Sequence, residues 1–426
     1  MHPLVARDRA SIWHPFTPLK GSPYVLPVRS AKGSQLILET GHSLIDAISS
    51  WWVNLHGHSH PAIAQAVADQ AAHLEHVIFA GFTHEPAVKL AENLLSILPD
   101  NQDYIFYSDN GSTATEVAMK MAFQYWHNKD QQRTRIIAME GAYHGDTFGA
   151  MSVGDRGPFT RPFDHHLFDV SFIPFPERGQ EDAVIDRFRE IVRTGEVAAF
   201  IFEPLVQGAS GMRMYDALTL DTLLRLAHDQ GVLCIADEVF TGFGRTGTLF
   251  ASDQLTVKPD LMCLSKGLTG GTLPMGITTC TAAVREPFDT NELLKTFFHG
   301  HSFTANPIAC AAANASFDLL MADLCQKQIS NLCAYQQQKR EQLSRYKAAR
   351  EVRQLGTILA IELETSTDTG YVNEARHKLY PWFIDRGVLI RPLGNVIYTV
   401  PPYCITTEEL DKVYVVIREL LEGYQG

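Results

Sequence analysis

Between about Pro86 and Ala283 the chain repeats one unit: a short apolar run followed by a stretch with apolar residues at helical spacing. The runs at residues 104–108, 135–139, 170–174, 198–202, 232–236, 261–265 and 277–281 are mostly apolar and do not alternate cleanly, as expected of strands buried on both faces. Between them, Ala114, Val117, Ala118, Met121 and Tyr125 line one helical face, and Leu220, Leu223, Leu224 and Ala227 another. This alternation predicts an α/β fold with a mostly parallel central sheet and helices on both faces. The irregular stretch 141–169 reads as a loop with a functional role.

The flanks differ. Residues 20–48 hold Gly, Pro and short β-like runs at 24–28 and 35–39. From about Leu319 a long polar helix leads to 358–364, then a helix, then 388–391 and 396–400. That α+β pattern predicts a smaller domain built from residues 1–48 and 319–426, beside a large domain at 49–318. A length of 426 residues exceeds what one core usually holds.

A net charge of -12 argues against nucleic acid and anionic membrane as partners. No apolar run reaches the length of a membrane span, and the N-terminal residues lack the apolar core of a signal peptide. Seven cysteines, scattered singly from Cys234 to Cys404, fit reduced thiols and a cytoplasmic setting better than a disulfide framework.

Two charges stand out against this apolar background. Asp237 closes the run Val232-Leu233-Cys234-Ile235-Ala236, and Lys266 closes Leu261-Met262-Cys263-Leu264-Ser265. Taken singly, the acid reads better as a helix cap and the lysine as a side chain snorkelling from the sheet. As a pair on two strand ends they meet the needs of pyridoxal phosphate: an amine to form the Schiff base and a carboxylate to keep the ring nitrogen protonated. Upstream, Ser108-Asp109-Asn110-Gly111-Ser112-Thr113 ends a strand and opens a helix. That sequence is a plain N-cap or, at the carboxyl end of a parallel strand, a phosphate cradle. Tyr143-His144-Gly145-Asp146 follows another strand, and Tyr143 there either stacks on a flat ring or packs beside a turn.

Four other features carry less. The run from Phe240 to Gly247 reads as a tight turn that brings Arg245 near a subunit contact. His299-Gly300-His301-Ser302 lacks an acidic third ligand for a metal and reads as a surface or interface loop, with Ser302 free to bind an anion. Arg391, after Val388-Leu389-Ile390, is either a surface salt bridge or a fork for a carboxylate. The adjacent Trp51 and Trp52 cannot face the same way, so one is expected to line a cavity.

With these residues the chain resembles the class-III aminotransferases of fold-type I, and within them the branch that makes 7,8-diaminononanoate for biotin synthesis. The likeness runs from Ile12-Trp13-His14-Pro15-Phe16-Thr17 to Pro401-Pro402-Tyr403 and includes Ser49-Ser50-Trp51-Trp52, the run from Tyr143 to Ser152, Gly211-Met212-Arg213-Met214-Tyr215 and Ile390-Arg391-Pro392. The resemblance implies a homodimer using pyridoxal 5′-phosphate, with 8-amino-7-oxononanoate as acceptor and S-adenosyl-L-methionine as donor in a ping-pong reaction. Lys266 would be the Schiff-base lysine and proton shuttle, and Asp237 the partner of the ring nitrogen. Gly111 and Ser112 would bind the phosphate, joined by Ser302 of the partner subunit, and Tyr143 would stack on the ring. Arg391 would grip a substrate carboxylate, Asp146 would help place the donor, and Phe16, Trp51, Trp52, Gly300 and Tyr398 would wall the substrate cavity.

Two departures from the family pattern matter. Phe16 stands where Tyr is frequent, and His301-Ser302 where Pro-Thr is common. Ser302 keeps a hydroxyl; Phe16 loses one, worth about 1 kcal/mol net to a bound amine. Lysine as donor therefore stays open, as does a class-III transaminase acting on another ω-amino acid. A cofactor-binding protein without turnover is disfavoured by the intact Lys266 and Asp237.

Overall fold

A computed structural model describes residues 2–20, 25–365 and 373–424. Its centre is a seven-stranded sheet in the order Tyr104–Ser108, Gly276–Cys280, Leu261–Leu264, Leu233–Asp237, Val197–Phe202, Arg135–Met139, Val170–Ile173. All of these except Gly276–Cys280 run in one direction. The exception has a simple cause. A parallel return needs a crossover of a dozen or more residues. Here the link, residues 265–275, holds a 3-10 turn and the turning residues Gly270 and Gly271 with φ of 63° and 80°, and no crossover helix.

Both faces of the sheet are covered, which is why its strands read as unbroken apolar runs. Ile136, Ala138, Ala199, Ile201 and Ile235 pack with the helix Gly111–Asn128. Their neighbours Ile137, Met139, Phe200, Phe202 and Ala236 pack into the larger core on the other side. The helix Gly111–Asn128 starts where Asn110 accepts the N–H of Thr113 and Thr113 returns the bond, a reciprocal cap. The stretch 141–169 is mostly loop but includes the short helix Phe148–Ser152.

The two flanks meet in small sheets. Val28–Lys32, Gln35–Leu38 and Ser43–Asp46 form one with Val388–Leu389, which pairs parallel to Ser43–Asp46. Ala349–Leu355, Ile358–Leu363 and Val396–Thr399 form another. Of the expected run 24–28, only Val28 lies in a strand, and Tyr24 lies outside the described residues. Sequence reading overlooked Ala349–Leu355, because Arg350, Glu351 and Arg353 break its apolar pattern; Arg353 instead pairs with Glu362 at 2.7 Å across the hairpin. The capped helix Thr407–Gly423 was also not anticipated.

Arg245, expected in a tight turn near a subunit contact, is fully buried within its own chain and donates to the carbonyls of Pro401 at 2.9 Å and Asn54 at 3.2 Å. One expectation is corrected. Lys266 is not the last residue of its strand, which stops at Leu264; it opens a 3-10 turn with φ of 47°. Phe200 tests the packing directly. It is fully buried, with the rings of Phe188 and Phe202 at 4.9 and 5.0 Å. Phe200→Ala should lower stability by about 3–5 kcal/mol, read as a shifted urea midpoint with an unchanged slope.

Candidate active site

The parallel strands end on one edge of the sheet, where a cleft of about 620 Å³ opens. Asp237 is the last residue of a central strand, and both of its oxygens are held: Oδ2 accepts from His144 Nδ1 at 2.7 Å and Oδ1 from the Val239 N–H at 3.0 Å. His144 was not among the residues singled out for a role. Its imidazole is buried, and its Nε2 has no hydrogen-bond partner among the described residues. One nitrogen is thus committed to keeping Asp237 in place.

Lys266 lines the same cleft. Its Nζ lies 4.7 Å from the centre of the Trp52 ring and 5.6 Å from that of Phe240. Burial lowers its pKa to about 8, with nearby Arg245 acting in the same direction and Asp237 and Glu203 opposing it. Glu203 is a second residue that sequence reading missed. It directly follows Val197–Phe202, the same signal of a charge ending an apolar run that marked Asp237. It accepts the N–H of Tyr143 at 3.0 Å and of Gly208 at 2.9 Å, and Tyr215 donates to its carbonyl at 2.7 Å. Burial raises its pKa to about 7, with Asp237 adding to the rise and His144 and the two backbone donors pulling against it.

At the other end of the cleft the helix Gly111–Asn128 begins. Asn110 satisfies the N–H of Thr113, while Gly111 and Ser112 border the cleft. First-turn N–H groups have no partner within their own helix, and the helix dipole favours an anion beside them. The backbone here is close-packed: a Cβ on Gly111 would meet Val239 Cγ1 at 2.8 Å, and one on Gly145 would meet Ser112 Oγ at 2.0 Å. Ser112 Oγ accepts the N–H of Asp146 at 3.2 Å, joining this helix start to the Tyr143 loop. Burial raises the Tyr143 hydroxyl pKa, and neighbouring Asp146 adds to it. An anion cradle, an aromatic ring, a fixed carboxylate and an amine therefore share one cleft. Those four elements fit a phosphorylated pyridine aldehyde.

Trp52 is the tryptophan that lines the cleft. It is 5 % exposed, packs on Phe240 at 4.8 Å and donates from Nε1 to the Tyr398 hydroxyl at 3.1 Å. Trp51 points elsewhere and is 44 % exposed, with Phe16 edge-on at 5.7 Å and the Arg391 guanidinium 5.1 Å from its ring centre. No carboxylate among the described residues lies within ion-pair distance of Arg391. Tyr398 stands behind Trp52 rather than on the cleft wall. Phe16, Trp51 and Arg391 lie outside the cleft proper. Gly300 and Ser302 sit on an exposed segment and do not line the cleft of their own chain.

The family described as aminotransferase class-III matches residues 17–421. A protein of Synechococcus elongatus named adenosylmethionine-8-amino-7-oxononanoate aminotransferase is 50 % identical over 419 residues, 96 % of this chain and 98 % of that one. A protein of the same name from Geobacter sulfurreducens is 40 % identical, covering 95 % of this chain and 94 % of that one. Among solved structures, the aminotransferase of that name from Methanocaldococcus jannaschii superposes with a TM-score of 0.92 at 33 % identity, covering 98 % of both chains. The Pseudomonas jessenii omega transaminase in complex with PMP shares the fold, with a TM-score of 0.93 at 22 % identity over 99 % of this chain and 98 % of that one. The chain belongs to the class-III aminotransferases, enzymes of fold-type I that work with pyridoxal 5′-phosphate.

Proposed function

We propose that this chain converts 8-amino-7-oxononanoate to 7,8-diaminononanoate in biotin synthesis, with S-adenosyl-L-methionine as the amino donor. The observation that carries the reading is the 50 % identity, over nearly the whole of both chains, to the Synechococcus elongatus protein of that name. The aromatic wall beside Lys266 agrees with a long-tailed substrate.

When bound, pyridoxal 5′-phosphate supplies an electron-withdrawing ring that makes the hydrogen on the donor carbon acidic. The N–H groups of Gly111 and Ser112 would hold the phosphate, and Tyr143 would cover the ring. Asp237, kept from turning by His144, would hold the proton on the ring nitrogen, since a carboxylate beside a cationic nitrogen stabilises the charged form. Lys266, neutral in a good part of the population near pH 8, takes the proton from the donor carbon and holds it for return. Trp51, Trp52 and Phe16 would exclude water along the substrate tail, and their faces would favour a sulfonium donor. Arg391 would grip the carboxylate that each substrate presents in turn, Asp146 would help place the donor, and Tyr398 would fix Trp52 through its hydroxyl.

We further infer a homodimer with shared sites, made of a large domain (49–318) and a smaller one (1–48 and 319–426), working in the cytoplasm. Segments 75–84 and 301–306 are tied together by His84 to the Ala305 carbonyl at 2.8 Å and Asn306 to the Glu75 carbonyl at 3.1 Å. They expose Ile78, Phe82 and Phe303 beside Gly300 and Ser302, an apolar surface that a second copy would cover. On this reading the partner subunit receives Ser302 at its phosphate site and Gly300 at its cavity wall. All seven cysteines are unpaired thiols, in keeping with a reducing compartment.

The donor is tested by offering S-adenosyl-L-methionine and lysine separately to the cofactor-loaded protein and following its absorbance. The proposal expects conversion to the amine form with S-adenosyl-L-methionine; conversion by lysine alone would reassign the donor, and failure to aminate 8-amino-7-oxononanoate would reassign the acceptor. Lys266 makes a second prediction. Uptake of pyridoxal 5′-phosphate by the cofactor-free protein should accelerate with pH and level off above about 8, instead of climbing toward the ordinary lysine value of 10.5. Glu203 makes a third. It binds its proton more tightly in the folded protein, at about 7, than at its ordinary value of 4.5. The folded state therefore gains from that group while it is protonated and loses the gain as pH rises through about 7. Against Glu203→Gln, which does not titrate, the wild-type melting temperature should fall across that interval and then run parallel.

A further inference from the structure

We propose that Asp46 and His58 form a positioning pair that sets the aromatic wall of the cleft and, through it, the affinity for the amino acceptor. This rests on the reading above that the substrate tail lies along Trp51 and Trp52. Neither residue lines the cleft. Asp46 ends the strand Ser43–Asp46 and is fully buried. Its Oδ1 accepts the Ile48 N–H at 3.1 Å; its Oδ2 accepts the Ser50 N–H at 2.6 Å and His58 Nε2–H at 2.8 Å. The side-chain amide of Asn54 donates to His58 Nδ1 at 3.1 Å, so the imidazole is held as the tautomer that presents Nε2–H to Asp46. His58 is itself anchored, exchanging backbone hydrogen bonds with Gly33 at 2.7 and 3.2 Å.

What this pair holds is a strained turn. Ser49, Ser50 and Trp52 have φ of 51°, 59° and 65°, a region that residues with a Cβ rarely occupy. Such strain persists only where surrounding bonds over-determine it, and it gathers at binding sites. Asp46 clamps the turn from within, and the Ser49 hydroxyl fixes it from outside by donating to the Val400 carbonyl at 2.7 Å. The strain has a visible product. It turns Trp52 inward, over Lys266, and Trp51 outward, beneath Arg391. The backbone of Asp46 also pairs in register with Leu389, two residues before Arg391, so the strand that carries the carboxylate runs beside the segment that carries the guanidinium. Releasing the carboxylate would move the wall while leaving Asp237, His144 and the helix start untouched.

The test uses the full-length, cofactor-loaded protein with His58→Ala, His58→Asn, whose shorter amide falls short of Asp46, and His58→Gln, whose amide N–H reaches the place of Nε2. The expected result for the first two is a KM for 8-amino-7-oxononanoate raised by about ten-fold with kcat within about two-fold, the pattern of lost substrate binding. Tryptophan emission should shift to longer wavelength, the absorbance of the bound cofactor should stay unchanged, and His58→Gln should restore both KM and emission. The emission shift and its rescue do not depend on the substrate, so they separate this proposal from the assignment of the acceptor. Unchanged KM and emission would overturn the proposal, as would joint loss of kcat and cofactor absorbance. So would a glutamine variant no better than alanine. Failure of both lesions to yield folded protein would also count against it, by placing the pair in the fold and not in the wall.

Discussion

Asp237 ends a strand that is covered on both faces, so its carboxylate must be stabilised by protein groups in place of water. The Val239 N–H and His144 Nδ1–H do this from two directions, and the pair fixes where the acid points. An unpaired charge at that depth would cost several kcal/mol. Satisfied in this way, it becomes a stationary negative charge at the bottom of a cleft. The strands on either side of Asp237 set how far it stands from the helix start at Gly111 and from the amine of Lys266.

The neighbouring charges then fall into a consistent set. Lys266 loses its proton more readily than a free lysine because burial and Arg245 outweigh the pull of Asp237 and Glu203. Glu203 is driven the opposite way and serves the site through its backbone partners, steadying Tyr143 through one N–H and the strand Val206–Gln207 through Gly208. Arg245 is the buried guanidinium of this set; it donates to two carbonyl oxygens, and its Nε has no hydrogen-bond partner among the described residues. Groups from three separate segments of the chain thereby act on one amine.

Much of this was legible in the sequence because the central sheet is buried on both faces. Its strands showed as short apolar runs, and a charge at the end of such a run was informative. That logic found Asp237 and Lys266 and would also have found Glu203, which follows Val197–Phe202. The reversed direction of Gly276–Cys280 was not legible, since an apolar run carries no arrow and the link at 265–275 holds no crossover helix to set one. His144 could be seen beside Tyr143, but its partner lies in a distant strand. The split between Trp51 and Trp52 was predictable from adjacency. Which one turns inward depends on the strained backbone around Ser49 and Ser50, and no propensity encodes that.

The claim on which the account stands is that Lys266 is the amine linked to the cofactor, with Asp237 fixed beneath the ring. Borohydride reduction of the protein loaded with pyridoxal 5′-phosphate, followed by digestion and peptide mass analysis, tests it most directly. The account predicts that the cofactor mass is retained on the peptide containing Lys266 and on no other lysine in stoichiometric amount. Retention on another lysine, with the Lys266 peptide unmodified, would contradict it.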